Sequence, residues 1–194
     1  MSAEQLPWPL ADRTELRDEL IAAYSNGRGY HDVRHLAEVL DRLGELGVAD
    51  DVELVLAAWF HDAVYDGAAG AEERSAQLAE TRLAASGIDV AEVARLVRLT
   101  ETHEPASGDG RGEALCDADL AVLASDVERY REYAAGVRVE YAALPDETFR
   151  AGRLSVLEGL LAREHLFRTT HARRRWEARA RENLLREIAA LRGG

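Results

Sequence analysis

Apolar residues recur along most of this 194-residue chain at spacings of three and four, the period of a helix that turns one face to a core. The pattern predicts helices at about 12–25, 31–47, 51–65, 71–86, 89–103, 113–125, 127–143, 147–162 and 172–192. Asp12, Asp50, Asp89 and Asp146 stand where N-caps are needed, and Gly27, Gly47, Gly67 and Gly87 stand where helices should stop. No stretch alternates apolar with polar for long enough to make a strand, so the fold class read from the pattern is all-α. One segment departs from simple amphipathicity. Val52 to Phe60 (VELVLAAWF) is apolar around most of its circumference, as in a helix buried on every side. Glu104 to Gly112, with three glycines and a proline, reads as a loop placed where a flap over a site would lie. The final segment puts Trp176, Ala180, Leu184, Leu185, Ile188 and Leu191 roughly on one face, and its Arg173-Arg174-Arg175 run reads as solvated charge.

Length and composition describe a single globular domain over 1–194, with 47% hydrophobic and 31% charged residues. No apolar run is long enough to span a bilayer, and the N-terminus lacks the basic-then-apolar layout of a signal peptide, which together predict a cytoplasmic protein without membrane association. Cys116 is the only cysteine, so no intramolecular disulfide or thiolate cluster can form, and its neighbours suggest a small buried hydrophobe. A net charge of −12 argues against a broad nucleic-acid-binding face, although a small anionic substrate is compatible with a local cluster of cations. All 24 basic residues are arginine.

His61-Asp62 follows directly on the apolar run, and a buried His-Asp pair is unfavourable unless something pairs with it or binds it. His35 lies upstream and Asp117-Ala118-Asp119-Leu120 downstream, giving ligand-type side chains in the order His, His-Asp, Asp. Imidazole and carboxylate donors suit a divalent ion such as Mn²⁺, Fe²⁺, Co²⁺, Ni²⁺, Zn²⁺ or Mg²⁺. Adjacent helical residues point about 100° apart, so His61 and Asp62 can both serve one ion only near a helix end, where Gly67 makes such an end plausible. Asp117 and Asp119 compete for the last position, since residues two apart on a helix face different ways.

The segments Tyr30 to His35, Trp59 to Asp66 and Asp117 to Leu120, with Glu72 to Ala76 and Thr100 to His103 between them, resemble the HD superfamily of metal-dependent phosphohydrolases. The likeness is to small bacterial members with Tyr-His-x-x-x-His, Trp-Phe-His-Asp and Asp-x-Asp-Leu signatures, over about residues 28 to 125. It implies an HD-type helical bundle of about eight to nine helices, with helices 127–192 packed on the motif core, and metal ligands His35, His61, Asp62 and Asp119. In alarmone hydrolases of that superfamily a Glu-Asp pair after the His-Asp pair assists attack by water. Tyr65-Asp66 stands there in this chain, which leaves Asp66 as the base and makes alarmone hydrolysis a poor fit.

Other candidates follow from position. Glu72 and Glu73 could position water, and Arg74 could clamp phosphate. His103 could assist proton transfer; Arg28, His31 and Arg34 flank the Tyr-His motif as substrate contacts. His165 and His171 lie outside the matched segments and read as surface or packing residues. The expected function is metal-assisted hydrolysis of a small phosphorylated metabolite, a nucleotide first among them. The alternatives are a di-iron HD-type oxygenase, for which His103 is the sole extra histidine between His61 and Asp119, and a non-catalytic HD ligand-binding module. Homo-oligomerisation is compatible with a small helical domain, without an identifiable interface.

Overall fold

The computed structural model describes residues 6–84 and 86–193. Among them are ten α-helices and no strand, so the all-α expectation is met. In chain order they are α1 (Thr14–Tyr24), α2 (Val33–Glu45), α3 (Val52–Phe60), α4 (Ala71–Arg82), α5 (Val90–Leu99), α6 (Gly110–Leu120), α7 (Val127–Glu140), α8 (Asp146–Ala162), α9 (Thr170–Arg175) and α10 (Glu177–Gly193), with a 3₁₀ turn at Ala121–Ala124. Nine helices were expected; the tenth arises because the C-terminal segment breaks at Trp176, whose ring packs edge-on against Phe167.

Helix ends follow capping chemistry, with shifts. Asp89 caps α5 as expected, but Asp51 rather than Asp50 caps α3, accepting from the Leu54 amide. Arg13, without a side-chain cap, begins α1, and Pro145 precedes α8, leaving Asp146 within its first turn. Gly27, Gly47, Gly67 and Gly87 adopt the left-handed backbone that stops need. The fourth helix ends before Ala85, which lies outside the described residues. The expected flap at 104–112 is shorter than the sequence suggested: α6 already begins at Gly110, because Asp109 caps it through the Gly112 amide.

The helices enclose two apolar clusters. One gathers around α3, in which Leu54 through Phe60 are all buried, against α1, α2, α4, α5 and α6. Side chains of Leu or Phe size each contribute about 1.5–3 kcal/mol when fully buried, which is why this short helix needs no polar face. Trp59 is fully buried, donates from its indole N–H to the Pro7 carbonyl at 2.8 Å, and meets Trp8 edge-on. The second cluster joins Tyr30 and the 3₁₀ turn to α7, α8, α9 and α10. Buried Asn183 of α10 ties it together by donating to the Leu123 and Ser125 carbonyls, both at 2.9 Å.

Beside the second cluster, Gly29 crosses α7 at Gly136, backbone against backbone. A β-carbon on Gly136 would sit 2.6 Å from the Gly29 carbonyl oxygen. Gly136→Ala is therefore expected to destabilise the fold by about 1–3 kcal/mol. Gly44→Ala in α2, where an added methyl meets open space, should be neutral or stabilising by up to about 1 kcal/mol. Urea midpoints of the two variants beside the wild type check both signs, and equal midpoints would refute the tight crossing.

Candidate metal centre

Three helix ends meet at the seam between the clusters. His35 comes from the first turn of α2, where Asp32 caps the helix by accepting from the Arg34 and His35 amides. His61 is the C-cap of α3 and Asp62 follows it in the turn beyond, so the adjacent pair escapes the angular conflict of a continuous helix. Asp119 sits in the last turn of α6.

His35, His61 and Asp62 form a buried group whose ligand atoms can hold a metal ion. His35 Nε2 and His61 Nε2 are 3.0 Å apart, and Asp62 Oδ2 lies 3.1 Å from His61 Nε2 and 3.3 Å from His35 Nε2. Bonds of about 2.0–2.2 Å from nitrogen and oxygen to a shared ion place neighbouring donors roughly 3 Å apart, so these separations fit. His61 Nδ1 donates to the Ala58 carbonyl at 2.6 Å, which leaves the Nε2 lone pair facing the cluster. Asp62 Oδ2 is buried and has no hydrogen-bond partner. It is close enough to both imidazoles for ionic attraction but misaligned for a hydrogen bond, so its lone pairs are directed at the space a cation would fill. Asp119 adds Oδ1 at 3.2 Å from His35 Nε2 and 3.7 Å from His61 Nε2.

The electrostatics show how strongly this group wants positive charge. Burial opposes the ionised form of both aspartates, yet the imidazoles outweigh it: His61, His31 and His35 for Asp62, and His103, His35 and His61 for Asp119. Both carboxyls are held well below the ordinary range. Conversely, burial alone would lower His35, but Asp119 and Asp62 hold it up at about 10, and His61 is raised mainly by Asp62 against the same burial.

Two more histidines face the same space, a cavity of about 960 Å³ lined at one end by His31, His103, Asp62 and Asp119. His103 Nε2 is bonded to Asp119 Oδ2 at 2.8 Å. It reaches this position from a left-handed backbone, φ 53°, at a turn that ends α5 at Leu99 instead of the expected residue 103. His31 stacks on Tyr65 and its Nδ1 pairs with Glu140 Oε2 at 2.8 Å, which leaves Nε2 as its nitrogen for the cavity.

Other expected site residues lie elsewhere. Asp66 is half exposed and bound by both guanidinium arms of Arg74 at 2.7 Å, so neither it nor Arg74 lines the cavity. Glu73 is likewise exposed and held by Arg98, and Glu72 lines the cavity in its place, because Gly70 starts α4 in a register that turns Glu72 inward. Arg34 is exposed and pairs with Glu38 and Glu132. Arg28 serves the backbone, donating to the carbonyls of Asp62 at 2.6 Å, His31 at 2.8 Å and Ala63 at 3.1 Å, and so fixes the His-Asp turn. Asp117 is buried and accepts from the Arg168 and Thr169 amides, both at 2.7 Å, which settles its competition with Asp119: it anchors the start of α9. Burial pushes the Cys116 thiol up to about 12, consistent with an inert packing residue. His165 and His171 are at the surface as expected.

Glu140, at the end of α7, is the residue the sequence did not reveal. Its buried carboxylate accepts from the amides of Gly29, Tyr30 and His31, from His31 Nδ1 and from the Tyr65 hydroxyl. Burial works against its charge, but His31 and the amides of Tyr30 and His31 overcome that and pull it from 4.5 to about 2. A carboxyl lowered in the folded state stabilises fully above its unfolded value and loses that contribution as pH falls from 4.5 towards about 2. Glu140→Gln, which turns an acceptor into a donor against these amides, should cost about 1–3 kcal/mol at pH 7. Its deficit relative to wild type should shrink as pH drops through that window. Chemical denaturation at pH 7, 4 and 3 checks this, and a deficit independent of pH would argue against a charged Glu140.

No family model, curated protein sequence or solved structure matches this chain, so what the centre does is read from its own geometry.

Proposed function

We propose that this chain is a metal-dependent phosphohydrolase of the HD type, acting on a small phosphorylated metabolite. The observation that carries the proposal is the partnerless Asp62 Oδ2, buried between two imidazoles whose Nε2 atoms converge on it at the end of a large cavity. His35, His61, Asp62 and Asp119 would hold a divalent ion, with Asp119 turning Oδ1 to the histidines and Oδ2 to His103. The donor set of nitrogen and oxygen, without thiolate, suits Mn²⁺, Fe²⁺, Co²⁺, Ni²⁺, Zn²⁺ or Mg²⁺. When bound, such an ion lowers the pKa of water and offsets charge on a phosphoryl group.

The chain's own residues supply the rest. Glu140 holds the His31 ring so that Nε2 faces the cavity, where it can donate to a phosphate oxygen or carry a proton to the leaving group. His103, held by Asp119, stands on another side of the same space as a second proton carrier. These two histidines take the part that Asp66 and Glu73 were expected to play, since both carboxylates are locked in exposed ion pairs. Glu72 also lines the cavity, outside any such lock, and is a candidate to orient water.

Metal analysis of purified protein should find about one ion per chain in the wild type. Removal of a direct ligand should weaken binding by at least the roughly 10–100-fold typical of supporting residues, so His61→Ala should be nearly metal-free. Asp117→Asn should keep its metal, because Asp117 is committed to the Arg168 and Thr169 amides just before α9. Phosphate release from a panel of phosphorylated metabolites should be seen with Mn²⁺, Co²⁺, Ni²⁺ or Mg²⁺ added and be lost in His61→Ala. Two irons per chain without phosphate release would replace the hydrolase by an oxygenase, and no metal under any condition would leave a ligand-binding module.

A further inference from the structure

Beyond the metal end, the cavity has a second character. Its remaining walls are formed by α7, the 3₁₀ turn and one face of α8, and they carry Val122, Val137, Leu144, Phe149, Val156 and Leu160. The face α8 presents runs through Thr148, Gly152, Ser155, Val156 and Gly159, a spacing of three and four that keeps small side chains towards the space. A β-carbon at Gly152 or Gly159 would meet nothing within 4 Å, so the helix stands back from its neighbours there and leaves room. At about 960 Å³ the cavity lies at the upper end of the range for small-molecule sites, far more than a phosphate group fills.

Charge decides what can occupy that room. The carboxylates of Asp62, Glu72, Glu101, Glu104 and Asp119 line the cavity, against two arginines among the described residues. Arg153 is buried and spent on Glu187, at 2.8 and 3.1 Å, and on the face of Tyr133. Arg163 donates to the carbonyls of Thr102 and His103. A polyphosphate would therefore bring several negative charges towards carboxylates with no uncommitted guanidinium to meet them. A single phosphate at the His31 and His103 end avoids this, and the apolar walls reward a body that sheds water.

We infer, on the basis of the phosphohydrolase reading, that the substrate is a phosphate monoester with an apolar, ring-sized body lying between α7 and α8, and not a nucleoside polyphosphate. The small-residue face of α8 is the surface that selects it.

The test separates this inference from the reading it rests on. Calorimetry with Mn²⁺-supplemented protein compares naphthylmethylphosphonate with methylphosphonate, which share a non-hydrolysable head and differ in the body. The aryl compound should bind at least about tenfold tighter to the wild type, a factor in keeping with one well-buried ring. Gly159→Phe, which fills the space, and Val156→Asp, at an already exposed position that tolerates charge without unfolding, should each reduce that ratio to about one to three. Equal affinities in the wild type, or a ratio preserved in both variants, would overturn the inference. Phosphate release from naphthyl phosphate and from a nucleoside triphosphate is measured alongside. Aryl preference without release from either ester leaves the ligand class standing and defeats the hydrolase; faster release from the triphosphate, with equal phosphonate affinities, does the reverse.

Discussion

Two carboxylates and two imidazoles share a largely buried corner of the cavity, and their charges are balanced chiefly by one another. Asp62 and Asp119 are held ionised by the histidines around them, while the same carboxylates raise the affinity of His35 and His61 for protons. Such a group is self-consistent only while it contains positive charge. Protons satisfy it imperfectly: Asp62 Oδ2 has no hydrogen-bond partner, and two Nε2 atoms 3.0 Å apart cannot both carry a proton without setting N–H against N–H. A divalent ion provides the charge without that directional conflict. The capacity to hold a cation follows from where the chain puts these side chains.

Holding them there accounts for much of the surrounding structure. Apolar packing of α3 on every side fixes the end from which His61 and Asp62 project. Arg28 reads three carbonyls of the turns on both sides of the cluster, which makes it a brace across the backbone, and its guanidinium is then unavailable to a ligand. Glu140 gathers the amides of Gly29, Tyr30 and His31 from the other side. The close crossing of Gly29 on Gly136 brings α7 near enough for that carboxylate to reach. Removing side-chain bulk at two glycines is thus part of the same device as the buried glutamate.

Local chemistry was legible in the sequence, and long-range partnerships were not. The all-α class and most helix positions follow from periodicity, and the buried His-Asp pair from the apolar run before His61-Asp62, signals that act over a few residues. The position of Asp119 over Asp117 was decided in the sequence by resemblance alone. In the structure it is decided by the segment leading into α9, whose Arg168 and Thr169 amides occupy Asp117. Asp66 and Glu73 were misplaced for a related reason: both were read from their nearness in sequence to His61-Asp62, but α3 ends at Phe60 and each carboxylate finds an arginine partner outside the site. Glu140 lies 109 residues from His31, so no window of sequence could have joined them.

The position of the centre at a seam between two apolar clusters has a further consequence. The cluster around α3 is closely filled and supplies the ligands; the one around α7 to α10 is less complete, because α8 packs chiefly on α10 and leaves its other face to the cavity. A site built this way separates its tasks. The closely filled half holds the candidate ligand atoms of His35, His61 and Asp62 within 3.0–3.3 Å of one another. The looser half can change its lining with little effect on that geometry, since substitutions on α8 at Gly152, Ser155 or Gly159 touch no ligand or brace. On the proposed reading, reaction chemistry falls to the α2, α3 and α6 termini and substrate choice to a single helix face, so variation in what is bound need not disturb how it is held.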